Sequence, residues 1–445
     1  MMISQPTSLV APDHYVAAFK QFASNGASKA PVWVAETRQA AIERFAERGF
    51  PTTRQEAWRF TSLKPILRHG FVLATPNAGR ITAADLEIHR IDPSIPVVVL
   101  VNGRFAPELT RVPDIEGVTV ASLRQAMQDH EALVRPHLTK HAKDEENPFV
   151  SLNAAFIDDG TFVHVAANAQ AGSIQIIHAF VTNGERAEVA HPRTLIVVDA
   201  GGSASIVESF VTIGMGVTWT NGVTELVVGQ NAQLEAYRLQ YESLDAFHTA
   251  STWSWQERDS RLTNMIFTFG GALTRHDIVS VLDGEGAEST LNGLSVLGGR
   301  QHVDYHTVLD HAKPHCKSWE YFNGVFDGRS RGVFNGRIIV REGAQKTDAK
   351  QTNNNLLLTD TARADSQPQL EIYADDVRCT HGATLGPIDE AHLFYMQSRG
   401  LTREHAKRLL THGFASEILN EVALAPLRQR LDTMVHDRLR TESAG

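Results

Sequence analysis

A repeat of about 28 residues runs through the middle of the chain and limits the folds that are open to it. From about Leu152, short runs of β-branched and aromatic residues are separated by Gly, Asn and Asp. Four runs end in a corner of Gly and a small residue, and the alanines at these corners are Ala204, Ala232, Ala287 and Ala344. They are separated by 28, 55 and 57 residues, close to one, two and two units of a single period.

A period of this length favours a parallel β-helix over a β-sandwich. A sandwich would place turns every ~8–12 residues with no longer register, whereas a coil of two or three short strands returns to the same place once per period. Each coil then stacks on the next and buries its inward side chains. We therefore predict a mainly β protein with helical flanks and a parallel β-helix core over residues 151–385. The run from Asn353 to Asn355 is expected to form a turn that enters a buried strand.

Helical periodicity predicts a mostly helical N-terminal region over residues 1–150, with a short β excursion from Ile95 to Phe105. One helix, from Glu36 to Arg48, should stop at Gly49. A second helical region is predicted over residues 386–445. Its expected apolar face consists of Ala406, Leu409, Leu410, Gly413, Phe414, Glu417 and Ile418. This region should cap the open end of the β-helix, dock another protein, or do both.

Charge and cysteine content exclude several classes of protein. Asp plus Glu exceed Lys plus Arg by 51 − 42 = 9 and no long basic run occurs, so nucleic acid is not expected as a partner. The two cysteines, Cys316 and Cys379, cannot form the disulfide framework of a small secreted protein. The segment from Met1 to Lys20 does not resemble a secretory signal and no later stretch approaches a membrane span, so we expect a cytoplasmic protein without a membrane anchor. Walker, G-x-S-x-G and H-E-x-x-H motifs are absent, which argues against an autonomous hydrolase of those types.

The segment Asp375 to Thr384, DDVRCTHGAT, is the strongest candidate for a functional centre. Cys379 and His381 are two residues apart, an offset that in a strand places both side chains on one face with Cα atoms ~6.5–7 Å apart. A thiolate and an imidazole at that distance can approach one iron or one sulfur species, and Arg378 is expected to lower the thiol pKa. Gly382 would let another backbone come close. Spacing alone slightly favours a structural role instead, with a buried cysteine as a small apolar filler beside a locally hydrogen-bonded histidine.

The number of cysteines limits what this centre could hold. An iron–sulfur cluster normally takes four protein ligands, mostly thiolates. Cys316 and Cys379 are 379 − 316 = 63 residues apart, and even with His381 the set falls short of a closed site. Any cluster would have to be shared with a partner chain.

A second group of possible ligands is the stretch that contains His302, His306, His311, His315 and Cys316. Imidazole and thiolate suit zinc or iron. In a strand, however, an offset of four residues separates Cα atoms by ~13 Å, too far for one ion. Solvent-facing or hydrogen-bonded histidines are therefore the favoured interpretation.

Two acidic pairs could be proposed for acid–base chemistry, Asp158–Asp159 and Asp375–Asp376. Neighbours in a strand point to opposite faces, so neither pair is expected to share one substrate oxygen. The simpler interpretations are a turn at Asp159–Gly160 and a strand edge kept soluble by charge at Asp375–Asp376.

The segment from Phe334 to Glu417 closely resembles the SufB/SufD family of iron–sulfur cluster assembly proteins. The motifs that carry the resemblance are AQKTDAKQ, NNNLLL, PQLEIYADDV, CTHGAT, LFYMQSRG and the final GF-x-x-E. RQEAWRFTSL, from Arg54 to Leu63, and SLNAAFIDDGTFVHV, from Ser151 to Val165, are similar to the SufD branch. The resemblance therefore covers most of the chain.

This resemblance implies a right-handed parallel β-helix in a scaffold subunit that is not itself an enzyme. It implies a SufB-like paralogue and a SufC-like ABC ATPase as partners, and a homodimer is possible in isolation. His381, with Cys379 beside it, would lie at the SufB interface and take part in a transient iron or cluster site shared with SufB, none being tightly bound to the isolated chain. The implied ATPase-docking residues are Phe394, Tyr395, Ser398, Arg399 and Phe414. No dinucleotide fingerprint is present, so flavin is not part of the prediction.

Two rival functions remain open at this point. A carbohydrate-active β-helix enzyme would use acidic side chains such as Asp304 or Asp310 in an external groove. A mononuclear metal enzyme would use the histidines from His302 to His315, including His311.

Overall fold

A computed structural model describes residues 9–24, 30–75, 81–142 and 147–441. Residues 1–8, part of the stretch tested above for a secretory signal, lie outside these ranges. The strands are β1 Val72–Leu73, β2 Val97–Val101, β3 Arg104–Phe105, β4 Val118–Ser122, β5 Gly160–Val165, β6 Gln170–Val181, β7 Glu188–Ala190, β8 Arg193–Val198, β9 Ser203–Ile213, β10 Thr218–Val228, β11 Gln233–Gln240, β12 Phe247–Gln256, β13 Arg261–Thr268, β14 Leu273–Leu282, β15 Glu288–Leu297, β16 His302–His311, β17 Lys317–Phe326, β18 Arg331–Val340, β19 Asp348–Leu357, β20 Arg363–Ile372 and β21 Arg378–Gly386.

The helices flank these strands. They are α1 Pro12–Ser24, α2 Val32–Arg48, α3 Lys64–Leu67, α4 Ala83–Glu87, α5 Leu123–Asp129, α6 Glu131–Val134, α7 Pro148–Ala155, α8 Glu390–Ser398, α9 Arg403–Leu419 and α10 Ala425–Thr441. Helix α2 ends where the sequence predicted, because Gly49 adopts φ 64° and donates its N–H to the Phe45 carbonyl. None of the helices in the described ranges is long and apolar enough to span a membrane.

The core is a parallel β-solenoid made of two sheets, as predicted. Sheet I runs β20-β18-β16-β14-β12-β10-β8-β5-β4, and sheet II runs β21-β19-β17-β15-β13-β11-β9-β6-β2-β3. Successive strands of the coils alternate between the sheets and pair in parallel with strands of the neighbouring coils. The step from Trp219 to its register partner Phe247 is 247 − 219 = 28 residues, and later steps range from 273 − 247 = 26 to 363 − 331 = 32. The period of the sequence is therefore the length of one coil.

One corner of the solenoid is filled by small buried side chains. The register of sheet II places an equivalent residue directly before each of β11, β13, β15, β17 and β19, and these residues are Ala232, Ser260, Ala287, Cys316 and Thr347. Ala204 lies inside β9 and Ala344 lies three residues before Thr347, so only two of the four alanines used for the repeat are equivalent. Cys316 therefore acts as a corner filler.

The expected turn at the asparagine run is wrong, because Asn353 and Asn355 lie inside β19 and point into the solenoid. The Asn353 amide donates to the Phe322 carbonyl of the coil below at 3.2 Å, and Asn355 donates to Oδ1 of Asn353 at 2.7 Å. Hydrogen bonds of this kind let polar side chains occupy a buried row.

A buried polar network occupies the interior of the middle coils. Glu208 accepts hydrogen bonds from Arg238 at 2.8 Å and Thr194 at 2.9 Å, and it pairs with His178 at 3.0 Å. Burial raises the pKa of the Glu208 carboxyl, but the charge of Arg238 and the contact with His178 outweigh it and hold this pKa well below its usual range. The carboxylate is therefore ionised and compensated within the core.

The two groups of helices cover opposite outer faces of the solenoid. Helices α1, α2 and α7 pack on sheet I, where the Tyr15 ring contacts both Phe45 of α2 and Trp219 of β10 edge-on. Helices α9 and α10 pack on sheet II, where Ile418 and Leu431 join a cluster of side chains from β9 to β17. The predicted cap over the open end is therefore wrong, since the C-terminal helices lie along the side of the solenoid.

The apolar face predicted for α9 is also partly wrong. The buried residues of this helix are Ala406, Thr411, Ala415, Ile418 and Leu419, whereas Leu409 is 45% exposed. Glu417 turns to polar side chains of β17 and accepts a hydrogen bond from Asn323 at 3.2 Å. The helix is rotated so that its polar side meets the polar part of the strand.

The ends of the solenoid differ. At the N-terminal end, β4 pairs antiparallel with β5 and β3 pairs antiparallel with β2. At the C-terminal end, β20 and β21 are the last strands of their sheets and most of their side chains are partly or fully exposed. We call this end, formed by β20 and β21, the open end.

An ion-pair cluster fastens the segment around Trp58 to the outer face of sheet I. Arg275 stacks over the Trp58 ring at 4.2 Å and donates to Asp304 at 2.6 Å and Asp277 at 2.7 Å. Thr61 also hydrogen-bonds to Asp304. Arg275 and Asp304 are both almost fully buried, so each depends on the other for compensation of its charge.

We expect Arg275→Met to lower the free energy of unfolding by about 3–5 kcal/mol, because it leaves the buried Asp304 carboxylate without its main counter-charge. Urea unfolding of the purified chain measures the change. The matched control is Arg341→Met. It breaks the pair between Asp310 and Arg341, whose side chain is 53% exposed, and should cost only about 0–1 kcal/mol. Equal losses in the two variants would contradict the role given to Arg275.

Candidate functional site

The candidate segment forms the edge of sheet II at the open end. β21 pairs with β19 on one side, and within the described ranges no strand follows it on the other. Its register sets Cys379 against Ala349 and His381 against Gln351. Ala349 is buried in the solenoid core and Cys379 packs against the same cluster, so residues 379, 381 and 383 lie on the inward face of the strand. The predicted shared face of Cys379 and His381 is confirmed.

The two side chains differ in exposure. Cys379 is half-buried, whereas His381 is exposed at the rim of the solenoid. A Cβ placed on Gly382 would meet no atom of the described residues within 4 Å, so the backbone here is open to approach. The structure thus provides an accessible imidazole beside a partly shielded thiol.

The expected effect of Arg378 on the thiol is wrong. Burial raises the pKa of the Cys379 thiol, and the charge of Asp348 raises it further, while a hydrogen bond with the Ala349 backbone lowers it by less. Arg378 precedes Cys379 in the strand and therefore points to the opposite face. In the isolated chain the thiol is less acidic than a free cysteine.

Two polar residues that were not singled out as site candidates from the sequence, a glutamine and a glutamate, lie in the coils beneath His381; the glutamine is the last residue of the AQKTDAKQ motif. Gln351 in β19 donates its amide N–H to Oε2 of Glu320 in β17 at 2.6 Å, and both side chains are buried. Burial raises the pKa of the Glu320 carboxyl to about 7, against the smaller opposing effects of Thr307 and Gln351. The signal that could have found them is the period itself, since Glu320 and Gln351 precede His381 by about two coils and one coil.

The histidines from His302 to His315 do not converge on one point. His302 faces outward and pairs with Thr61 at 2.8 Å, whereas His311 faces inward and contacts Ser318 at 2.9 Å. Burial lowers the pKa of both imidazoles to about 4. Across the described part of the chain no three His, Cys, Asp or Glu side chains are grouped so that they could hold a metal ion. The favoured interpretation, separate hydrogen-bonded histidines, fits these positions.

Each of the acidic side chains considered above also has its own separate partners. Asp158 pairs with Arg104 at 3.0 Å and Arg124 at 2.5 Å, whereas Asp159 is buried and accepts a hydrogen bond from Ser122 at 2.7 Å. Asp304 is enclosed by the Arg275 cluster described above, so it does not line an external groove.

The expectation that Asp375 and Asp376 form a charged strand edge is wrong. The two residues lie in the bend that precedes β21, and Asp376 forms an ion pair with Lys346. The bend is needed here because the chain turns from sheet I into sheet II at this corner.

The expected docking residues lie on α8 and on the neighbouring α9. Phe394 is 74% exposed and Tyr395 is 59% exposed, which is unusual for large apolar side chains. Ser398 and Arg399 follow at the end of α8, where the guanidinium stacks on the Tyr395 ring at 5.2 Å. Phe414 is different, because it is half-buried against the cluster that holds α9 on sheet II.

Helix α8 follows the open end after a short linker. Only residues 387–389 separate β21 from α8, and Asp389 caps the helix by accepting the N–H of Ala391 at 2.8 Å. Arg403 of α9 pairs with Glu390 of α8. Helix α8 is therefore joined to β21 by a short linker and to α9 by an ion pair.

Comparisons with known proteins agree on one family. The family model described as "SUF system FeS cluster assembly, SufBD core domain" matches residues 180–414, and the model "SufBD protein N-terminal region" matches residues 10–176. An iron–sulfur cluster assembly SufBD family protein of Synechocystis is 31% identical over 410 residues, which cover 90% of each chain. The iron–sulfur cluster assembly protein SufD of Escherichia coli is 29% identical over 94% of this chain and 95% of its own. The SufD protein of Bacillus subtilis is 26% identical over 73% and 75%.

We expect the two thiols to react at very different rates with an aromatic disulfide reagent. Burial raises the pKa of the Cys316 thiol to about 11 and shields it completely, whereas Cys379 is half-buried at the open end. The native chain should release one equivalent of chromophore and the second only after denaturation. Cys379→Ser should abolish the native reaction, and Asp348→Asn should speed it up by lowering the pKa of the Cys379 thiol. Prompt reaction of both thiols would contradict the corner position of Cys316.

Proposed function

The chain belongs to the SufBD family of iron–sulfur cluster assembly proteins, and from that premise we propose that it is a SufD-type scaffold subunit that pairs with a SufB-like paralogue and a SufC-like ABC ATPase. Family membership supports a role in iron–sulfur cluster assembly. In the finer proposal the chain is not an enzyme, works in the cytoplasm, supports de novo cluster assembly and iron acquisition, and leaves ATP hydrolysis to the SufC-like partner.

The observation that carries this proposal is the open end. β20 and β21 offer the edges of two adjacent sheets, and such edges are rows of backbone groups ready to pair with another chain. Proteins usually cover or distort edges of this length, and the C-terminal helices that could have done so lie on the side of the solenoid. A second solenoid of the same family, the SufB-like paralogue, would continue both sheets.

Charge along the outer face of sheet II supports a specific partner. The register aligns a row of alternating charges across five strands, which are Arg261, Glu288, Lys317, Asp348 and Arg378. Within it Lys317 pairs with Glu288 at 2.9 Å and Arg261 with Glu288 at 3.5 Å. The row ends on Arg378 at the open edge, so the matching partner strand presents an acidic residue there.

The chemistry at this interface follows from the side chains available. An imidazole nitrogen of His381 and the Cys379 thiol can each bind iron, but a cluster needs about four ligands. The remaining ligands, mainly thiolates, would come from the SufB-like chain, with iron and sulfide as the substrates that are assembled between the two. The site is therefore shared and transient, and no cluster is tightly bound by the isolated chain.

The position of α8 supports the second partner. Its exposed aromatic side chains, Phe394 and Tyr395, would dock the SufC-like ATPase, together with Ser398, Arg399 and the neighbouring Phe414. Because three residues join β21 to α8, ATP-driven movement of the ATPase would reach the shared site directly. Without the paralogue, a second copy of this chain can occupy the same edges, so a homodimer is part of the proposal.

We expect His381→Ala to lower the yield of iron–sulfur cluster by at least about tenfold, because it removes a ligand at the shared site. The complex of this chain with the SufB-like and SufC-like chains of the same genome is reconstituted anaerobically with ferrous iron and sulfide, and cluster is quantified by absorbance and iron content. The control is His130→Ala, at the junction of α5 and α6, where the imidazole forms no capping hydrogen bond. Undiminished yield in His381→Ala would refute the ligand role, and loss of the complex itself would make His381 a packing residue.

We expect Phe394→Ala or Tyr395→Ala to weaken binding of the SufC-like ATPase by about 2 kcal/mol or more each, since aromatic anchors dominate interface energies. Titration calorimetry with the purified ATPase measures the loss, and binding of the SufB-like chain should not change. Met215→Ala is the control, because Met215 is 86% exposed in the loop between β9 and β10, and β9 lies six strands from β21 in the order of sheet II. Unchanged ATPase affinity in both aromatic variants would exclude α8 as the docking helix.

A further inference from the structure

One inward row of sheet II leads from the core of the solenoid to the open end. The parallel register places Glu320 of β17, Gln351 of β19 and His381 of β21 one above another. Side chains at register partners share a face, and adjacent strands are ~4.8 Å apart. The three polar side chains therefore form a stack that starts in the buried interior and ends at the exposed imidazole.

The lower part of the stack is already hydrogen-bonded. Gln351 donates its amide N–H to Glu320 at 2.6 Å, which turns Nε2 of the amide towards the interior. The Oε1 atom of Gln351 is buried and has no hydrogen-bond partner among the described residues. An unpaired buried carbonyl oxygen of this kind costs free energy, which a donor could recover.

The facing sheet leaves room for this arrangement. Gly336 of β18 stands opposite Gln351, and a Cβ there would lie 2.4 Å from the Gln351 amide nitrogen. In the next coil the register partner of Gly336 is Pro368 of β20, which has no backbone N–H to offer. Neither Gly336 nor Pro368 has a side chain that can donate to Gln351 Oε1, whereas the imidazole of His381, the register partner of Gln351 on the open side, can.

We propose that Gln351 is a positioning residue for the His381 imidazole, held in place by the carboxyl group of Glu320. When the partner covers the open end, one ring N–H of His381 donates to Oε1 of Gln351. The other ring nitrogen then carries its lone pair towards the partner, where it binds iron. Imidazoles that bind metals are commonly held by such a second hydrogen bond, which selects the tautomer and orients the ring.

This inference rests on the proposed function, since it concerns how His381 meets the shared iron. It adds two residues that contact no substrate and act only through His381. Both lie in earlier coils, so their effect depends on the stacking of the solenoid rather than on the CTHGAT segment itself.

The test uses the complex with the SufB-like and SufC-like chains, reconstituted with ferrous iron and sulfide. Two quantities are measured, the cluster yield and the histidine nitrogen coupling seen by pulsed electron paramagnetic resonance of the reduced cluster. Gln351→Met should lower the yield about tenfold and weaken the nitrogen coupling while the complex still assembles. Exchange of the two groups, in the double variant Glu320→Gln/Gln351→Glu, should restore both quantities, because a carboxylate oxygen accepts the same N–H and the new amide donates to it.

Gln256→Met is the matched control for packing. Gln256 is also buried and inward, and its amide N–H donates to the Glu288 carbonyl at 2.9 Å. Its Oε1 has no hydrogen-bond partner in the described part of the chain, but the residue lies in β12 of the middle coils. The Gln256→Met variant should lose a similar amount of stability but keep the full cluster yield and the full nitrogen coupling. If the complex does not assemble with Gln351→Met, the variant Glu320→Gln tests the inference instead. An amide at position 320 can pair with either end of the Gln351 amide, so Gln351 is no longer held in one orientation and the nitrogen coupling should weaken.

The inference is overturned if Gln351→Met keeps the wild-type cluster yield and nitrogen coupling, or if Glu320→Gln keeps the wild-type coupling. It is also overturned if the exchange variant does not restore the yield and the coupling. His381→Ala separates this failure from that of the proposed function. If His381→Ala abolishes the coupling while the Gln351 and Glu320 variants keep it, only the positioning role is wrong. If His381→Ala leaves yield and coupling unchanged, the proposed shared site is wrong as well.

Discussion

The parallel, in-register stacking of coils is the interaction on which the rest of this structure depends. In such a stack the backbone groups of one coil are satisfied by the coils above and below, so the ladder has no natural end. At the N-terminal end the chain closes the sheets with antiparallel partners, β4 on β5 and β3 on β2. At the other end nothing comparable occurs among the described residues, and the unsatisfied ladder becomes the proposed binding surface.

The flanking helices explain why the open end stays open. Both groups bury apolar outer faces of the solenoid, α1, α2 and α7 on sheet I and α9 and α10 on sheet II. That burial stabilises the sides of the solenoid. Among the helices of the described ranges, α8 is the one that leaves large aromatic side chains in solvent, and it follows β21 after three residues. The two surfaces proposed for partners are thus consecutive in the chain.

The stacking of the coils also determines which inward side chains come together. A row of inward positions collects residues that are about one coil apart in sequence, which places Glu208 and Arg238 together in the middle coils. The same rule brings Glu320 and Gln351 beneath His381. Buried polar groups survive in the core because their neighbours in the next coil satisfy them. At the open end no further coil of the described residues follows, and His381, the last group of the row, is exposed to solvent.

Much of the fold and part of the site could be predicted from the sequence. The period of about 28 residues gave the parallel β-helix, and the offset of two gave the shared face of Cys379 and His381, because both depend on geometry that is local to a strand. The end of α2 at Gly49 was predictable for the same reason. The family resemblance, now supported by matches over most of the chain, directed attention to the CTHGAT segment.

What the sequence could not decide was which residues share a row and which faces are covered. Coil length varies from 26 to 32 residues, so alanines that looked equivalent by spacing fall at different positions, and Cys316 turns out to fill a corner. The Asn353–Asn355 run, the buried side of α9 and the acidity of the Cys379 thiol all depend on side chains far away in sequence. By itself the sequence determined that coils form and that a cysteine and a histidine share a face. Only the tertiary structure decided that this face ends the stack, because hydrogen-bond partners in a parallel solenoid come from the next coil.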